Sequence, residues 1–506
     1  MKKILILCLA ALAACYEDKG NYTYAPVSDI VIENVLPNYI LVTGVDTLRV
    51  APKIVTSYPE ADLEYWWVIA RSTGSANVVS DKFTYDTIHR QRDIALPIAE
   101  APGNYTLYCH AKNRVNAYQT FVKTTLEVGT LYNRGHYILK ETADGNTDLD
   151  LLTEDGLLVP DVINTTQGAP LPGAPRNLGI LYSKFLVDPD TREKVHGHCL
   201  GVITCDKEVA VYRAFDMYRA FDHRSLFYEE PDDIPYKFNS SAYGCDYLSS
   251  AGAYHEHVAG ILTAGSTAGK YALPKTNVTG GSDCWAYSAN MWGPLYWDET
   301  HHRLVYVNPN GLAYELTSND FPMPGPTREC LFLGAYGLDY IYGLFRDDAG
   351  NYSLYSVYIQ YMRGSPVVRD IQPVAPGRFT AATLRATNER TANIIYFVHD
   401  NKLYYYDVAN AVEREASVPG LPDDEVITHV ANRHFNYDSA PAFDYFSIAT
   451  YKNGHYKLFA YNMIGGLPTG APVISASGVG RVKEVKYLAP NAAYMNNFFP
   501  GRNYSR

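Results

Sequence analysis

Asn393–Val408 reads NIIYFVHDNKLYYYDV. Two runs rich in β-branched and aromatic residues flank His399-Asp400-Asn401, a turn-forming triplet. The pattern predicts a tight β-hairpin. The same plan recurs as HYILKE-TADGN-TDLDLL, GVIT-CDKE-VAVYRAF, AGILTA-GSTAG-KYAL, RLVYV-NPNG-LAYEL, YIYGLF-RDDAGN-YSLYSVYI and FSIATY-KNG-HYKLFAYN. Turn centres fall near Asp144, Asp206, Thr267, Asn310, Ala349, Asn401 and Asn453. Their spacing, about 40 to 60 residues, is that of four-stranded blades joined by variable loops. Helical periodicity is sustained nowhere. The expectation is an all-β chain with a β-propeller of about seven blades over residues 131–506. A stack of further sandwiches is the alternative, but radial repetition deals better with exposed sheet edges.

Upstream the pattern differs. Residues 28–130 contain SDIVIENV, TLRVAPKIV, LEYWWVIA, FTYDTI, DIALPI, NYTLYCHAK and QTFVKTTLEV, short strands split by turns. Such spacing predicts an immunoglobulin-like β-sandwich. Strand neighbours face opposite sides, so one of Trp66 and Trp67 points into its core. Cys109 is the sole cysteine in this segment, which excludes an internal disulfide between its sheets.

The N-terminus reads MKKILILCLAALAAC. A basic start, a short apolar run and small residues before Cys15 predict a lipoprotein signal peptide over 1–14. The apolar run is far shorter than the ~20 residues that span a bilayer. Cys15 becomes the acylated N-terminus, carrying palmitate-type chains. Each buried methylene contributes ~0.8 kcal/mol to anchoring. Residues 15–27 then form a tether.

The formal net charge is −11, and no basic run occurs. Phosphate neutralisation needs clustered Lys and Arg, so nucleic acid is a poor partner. Tyrosine is abundant, at 44 residues. β-propensity accounts for most of this, and the surplus suits wet, adhesive surfaces. Beyond Cys15 the cysteines are Cys109, Cys199, Cys205, Cys245, Cys284 and Cys330, with no CxxC pair. Zinc-ribbon and thioredoxin readings therefore fail, and disulfide connectivity stays open.

Cys15-Tyr16-Glu17-Asp18-Lys19-Gly20-Asn21-Tyr22, Glu64-Tyr65-Trp66-Trp67, Gly103-Asn104-Tyr105-Thr106-Leu107 and Gly135-His136-Tyr137-Ile138-Leu139-Lys140-Glu141 together resemble the PKD-like lipoprotein family of Bacteroidota. That resemblance implies a PKD-like sandwich and a surface lipoprotein beside a SusC/SusD-type, TonB-dependent outer-membrane importer. Such a protein would assist capture of extracellular peptides or oligosaccharides. Glu17-Asp18 resembles the acidic surface-export signal of that phylum, which implies an outer-membrane protein facing the exterior.

No GxSxG, HExxH, Walker or GxGxxG motif is present, so no catalytic residue is assigned. A surface propeller enzyme, glycosidase or polysaccharide lyase, is the alternative, since paired carboxylates need no local motif. His196/His198 and His255/His257 could each share one strand face, and His301-His302 are adjacent, but a zinc site would need further ligands from elsewhere, and exposed loop histidines are the expected reading. No cofactor is expected, although Asp144, Asn146 and Asp148 alternate as a structural calcium loop would. Leu149 stands where such a loop needs glycine. Binding candidates cluster in Gly280–Trp297, where Trp285, Tyr287, Trp292, Tyr296 and Trp297 are concentrated between hairpins. Aromatics on loops of a rigid scaffold stack on sugars or anchor partners.

Overall fold

The computed structural model describes residues 30–72, 83–189, 192, 194–205, 208–228, 236–242, 245–250, 254–257, 269–271, 283–287, 294–307, 313–337, 339–359, 366–437 and 440–488. The signal segment, Cys15 and the tether lie outside them. The chain divides into two units, Met1–Val128 and Gly129–Arg506.

In the first unit a five-stranded sheet runs in the order Asn38–Val42, Gln119–Gly129, Gly103–Asn113, Leu63–Ser72, Phe83–His89. Two short ladders accompany it, Thr47–Val50 with Ile94–Pro97 and Val31–Glu33 with Lys53–Val55. Leu48, Val50 and Ile94 of the first ladder pack on Trp67, Ile69, Leu107 and Leu126 of the sheet. This is a β-sandwich. Trp67 is the inward tryptophan: it is fully buried, and its indole N–H donates to the carbonyls of Gln91 (3.2 Å) and Arg92 (3.0 Å). Trp66 faces the other side and stacks on His110 with ring centres 4.7 Å apart.

The second unit is a β-propeller. Among the described residues it has six four-stranded antiparallel sheets and one three-stranded sheet, which makes seven blades. Innermost strands, in ring order from blade 1, are Arg481–Leu488, Pro175–Val187, Tyr236–Ala242, Trp285–Ala286, Arg328–Tyr336, Leu384–Thr387 and Val426–Tyr437. Strands that flank the expected turns at Asp144, Asp206, Asn310, Ala349, Asn401 and Asn453 pair as hairpins. The turn at Thr267 lies outside the described residues. Blade 3 instead shows the ladder Tyr236–Ala242, Cys245–Ser250, Tyr254–His257.

Blade 1 closes the ring. Its outer strands come from the start of the unit and its inner strand from residues 481–488. Gly135 faces Leu488 and Glu141 faces Arg481 across this ladder. Two glycines make the approach feasible. Gly135 has φ +125°, and a Cβ there would lie 2.7 Å from the Leu152 carbonyl oxygen. Gly480 has φ +108°, and a Cβ there would lie 2.6 Å from the Glu141 carbonyl oxygen. Neither conformation suits an L side chain.

Tyrosine is used mainly inside. Among the described residues, nine of the ten largest fully buried side chains are tyrosines. Each ring fills blade core, and several hydroxyls tie down a loop carbonyl: Tyr355 to Pro322 (3.0 Å), Tyr461 to Pro419 (2.9 Å), Tyr396 to Gly466. Core filling, with a polar tip that satisfies a connecting loop, accounts for much of the surplus that adhesive surfaces were expected to explain.

A buried ionic cluster fastens blade 7 to blade 1. Lys140 Nζ lies 2.6 Å from Asp150 Oδ1 and 2.7 Å from Asp161 Oδ1, and Tyr456 of blade 7 donates to Asp150 Oδ2 at 2.6 Å. Lys140 is 1% and Asp150 0% exposed. Burial opposes the lysine charge, but the two carboxylates overcome it and raise its pKa. Lys140→Met would leave the buried Asp150 without its counter-ion. The expected cost is about 3 to 5 kcal/mol. Urea denaturation followed by intrinsic fluorescence measures it, and a variant as stable as the parent would refute the assignment.

Candidate functional site

The inner strands surround a cavity of about 700 Å³. Every blade contributes to its wall. An inner strand has one edge unpaired, so the side chains and backbone groups along it are exposed to whatever occupies the centre.

One side of the wall is a chain of paired charges. Glu389, just past Leu384–Thr387, forms an ion pair with Arg433 of the blade 7 inner strand. Its other oxygen accepts the His434 N–H at 2.9 Å, and its own N–H donates to Asn432 Oδ1 at 2.6 Å. On the closing strand, Lys486 Nζ sits 2.9 Å from Glu484 Oε1. Glu484 Oε2 accepts the Leu178 N–H at 2.9 Å and the Asn177 side-chain amide at 3.4 Å, which joins blade 1 to blade 2. Burial would raise the Glu484 pKa, but Lys486 and the Leu178 N–H hold it low. Burial, aided by Arg433, lowers the Lys486 pKa against the pull of Glu484. Burial drives His429 down to about 4, so this wall residue is neutral at physiological pH.

The opposite side is more loosely paired. Arg176 Nη1 donates to the Tyr236 carbonyl at 3.1 Å. Arg176 and Lys237 approach the two oxygens of Asp283 at 3.6 and 3.4 Å, and Glu299 reaches Lys237 at 3.7 Å. Trp285, Tyr287 and Phe332 supply aromatic surface beside them. The Tyr287 hydroxyl is buried and has no hydrogen-bond partner among the described residues. Arg385 also lines the cavity, but its guanidinium is spent on the carbonyls of Phe379 (2.8 Å) and Thr380 (2.9 Å) at the end of the helix Arg378–Ala381.

The aromatic segment read from the sequence is thus divided. Trp285 and Tyr287 reach the cavity wall. Tyr296 is fully buried, and Trp297, 3% exposed, packs edge-on against Phe345 at 5.3 Å. Trp292 lies outside the described residues. His301 serves its own turn, with Nδ1 2.9 Å from Asp298 Oδ2, whereas His302 reaches the next blade, with Nδ1 3.3 Å from the Arg328 carbonyl oxygen. The charged wall was missed by sequence reading, because its members are scattered over six blades. The readable signal was Arg481–Leu488, RVKEVKYL, where three lysines or arginines and a glutamate interrupt a strand with buried neighbours.

Asp144, Asn146 and Asp148 are engaged separately. Asp144 is exposed in its turn, and the Asn146 amide oxygen accepts the Gly173 N–H at 3.3 Å. Asp148, 1% exposed, accepts the N–H groups of Leu149 (2.7 Å) and Ile163 (2.9 Å) and caps the helix Val162–Gln167. Among the described residues no three His, Cys, Asp or Glu side chains are placed to hold a metal ion.

Residues 15–175 match the model of the PKD-like family, so the N-terminal region is PKD-like. No curated protein matches the chain significantly. Among solved structures, a quinonprotein alcohol dehydrogenase-like protein from Bacteroides thetaiotaomicron is 12% identical, with a TM-score of 0.38, covering 92% of this chain and 100% of that one. A virginiamycin B lyase from Staphylococcus aureus is 11% identical, with a TM-score of 0.30, covering 56% and 85%. A protein of unknown function from Bacteroides thetaiotaomicron is 12% identical, with a TM-score of 0.29, covering 84% and 96%. Likenesses this distant carry no functional inference.

Burial raises the Asp148 pKa from 3.8 to about 6, against the pull of its backbone donors. Between those values the folded protein keeps a proton that the unfolded chain releases. Stability contributed by this group therefore falls as pH rises from 3.8 to about 6, and stays lost above that. Asp148→Asn keeps an acceptor for the helix and cannot ionise. It should gain about 1 to 3 kcal/mol over the parent at neutral pH, and the gain should vanish below about pH 4. Urea midpoints at the two pH values test this; a variant weaker than the parent at neutral pH would contradict it.

Proposed function

We propose that the chain is a non-catalytic, lipid-anchored protein of the outer membrane, facing the cell exterior. In this reading it is accessory to a SusC/SusD-type importer and assists capture of extracellular peptides or oligosaccharides. The propeller cavity is the capture site, and the sandwich is a spacer or docking module. The observation that carries the reading is the cavity wall. Its ion pairs and backbone hydrogen bonds hold polar groups from several blades in place before any ligand arrives, and preorganisation of this kind lowers the cost of binding. Trp285 and Tyr287 add the apolar faces that sugars and peptide side chains stack upon. The leader ending at Cys15 and the PKD-like match over residues 15–175 support the placement.

Three measurements test it. A C-terminally tagged chain, extracted from outer membranes in mild detergent, should bring down a TonB-dependent channel and its lipoprotein lid, identified by mass spectrometry. Recovery of the chain alone would overturn the importer association. Cys15→Ser should abolish acylation and shift the protein out of the membrane fraction. Retention of the variant in that fraction would overturn the anchor. Product release from a polysaccharide panel would move the reading to a surface glycosidase or lyase.

A further inference from the structure

The chain is acidic, with a formal net charge of −11, yet its cavity is not. Six cations line it: Arg176, Lys237, Arg385, Arg433, Lys483 and Lys486. Three carboxylates oppose them, Asp283, Glu389 and Glu484, and Glu299 reaches Lys237 from behind. The excess is not evenly spread. Arg433 and Lys486 have close carboxylate partners, and Arg385 donates from Nε and Nη2 to the carbonyls of Phe379 and Thr380.

What remains is on three consecutive inner strands. Lys483 lies on the closing strand of blade 1, Arg176 near the start of the blade 2 strand, and Lys237 near the start of the blade 3 strand. The Glu484–Leu178 hydrogen bond sets the relative height of the first two, so Lys483 is level with the Arg176-Asn177 segment. Lys483 is exposed, and its side chain forms no ion pair or hydrogen bond among the described residues. Arg176 and Lys237 share the Asp283 carboxylate at 3.6 and 3.4 Å, and Lys237 meets Glu299 at 3.7 Å, all longer than direct charge-assisted hydrogen bonds of about 2.8 Å. Trp285 and Tyr287 stand beside this group, on the blade 4 inner strand and immediately after it. Low-dielectric walls concentrate the field of such a cluster, and an anion entering it finds donors already in position.

We infer that the propeller cavity binds a carboxylate-bearing ligand, with Lys483, Arg176 and Lys237 receiving the carboxylate and Trp285 and Tyr287 flanking the ligand body. The cavity, about 700 Å³, is within the size range of small-ligand sites. Two sources share this chemistry, uronate-containing oligosaccharides and acidic peptides. The inference rests on the cavity being the capture site in the proposed function, and not on the importer.

Calorimetry on the detergent-purified full chain, with no importer present, keeps the two ideas separate. The acidic probes are tetragalacturonate and tetraglutamate; the neutral controls are maltotetraose and tetraglutamine. At least one acidic probe should bind, with affinity falling as salt rises. Binding of the galacturonate alone names a glycan ligand, and of the glutamate alone a peptide ligand. Lys483→Glu should weaken the bound probe by about tenfold or more, and Lys483→Gln by severalfold. Both variants should melt at the parent temperature, because the side chain is exposed and unpaired. Failure of both acidic probes at low salt would overturn the inference, as would equal binding of a neutral control or unchanged affinity in Lys483→Glu.

Discussion

Everything in the second unit depends on one ladder, the pairing of Gly135–Glu141 with Arg481–Leu488. Seven twisted sheets arranged radially leave two open edges unless the strand Arg481–Leu488 completes the first blade. Backbone hydrogen bonds supply the pairing. Specificity comes from elsewhere: two glycines with positive φ let the strands meet, and the Lys140–Asp150–Asp161 cluster with Tyr456 fits only one arrangement of blades 7 and 1. A buried ion pair of this kind is weak evidence for added stability and stronger evidence for register, since any misplacement strands a charge.

The same strand carries half of the interesting chemistry. Lys483, Glu484 and Lys486 lie within four residues, and Glu484 is bonded to the backbone of blade 2. Closure and cavity are therefore not separable properties. The wall acquires its charge pattern only when residues 481–488 are seated, and the seating is in turn fixed by a wall residue. Two of these charges are tolerated because Lys486 and Glu484 pair with each other along the strand and Glu484 accepts N–H groups of Leu178 and Asn177 across the blade junction.

Much of this architecture was legible. NIIYFVHDNKLYYYDV announces its hairpin, and it pairs as read, with His399 opposite Lys402. Turn residues at fixed offsets gave the blade spacing, because hairpin geometry is a local property of the chain. The tyrosine surplus was harder. Composition reports how many rings there are, but whether a hydroxyl meets solvent or the Pro322 carbonyl depends on where a loop returns. Trp285 and Tyr287 were found because aromatics cluster in sequence there, although the same signal also selected Tyr296 and Trp297, which are core. Arg176, Lys237 and Lys483 were not found. Residues brought together by a ring share no window of sequence, and only a three-dimensional arrangement reveals that they face one space.

The distance along the chain between the two halves of blade 1 also sets a timetable. As the chain emerges N-terminus first, the sandwich has all its strands once residue 129 is out, whereas the strand Gly135–Glu141 waits for Arg481–Leu488. Through most of synthesis the nascent propeller carries an unpaired, largely apolar edge, which is the kind of surface that recruits wrong partners. Contacts of such long sequence separation form slowly. Folding of this protein thus has a vulnerable interval that ends only when the strand Arg481–Leu488 is delivered, and chaperone demand should be concentrated there.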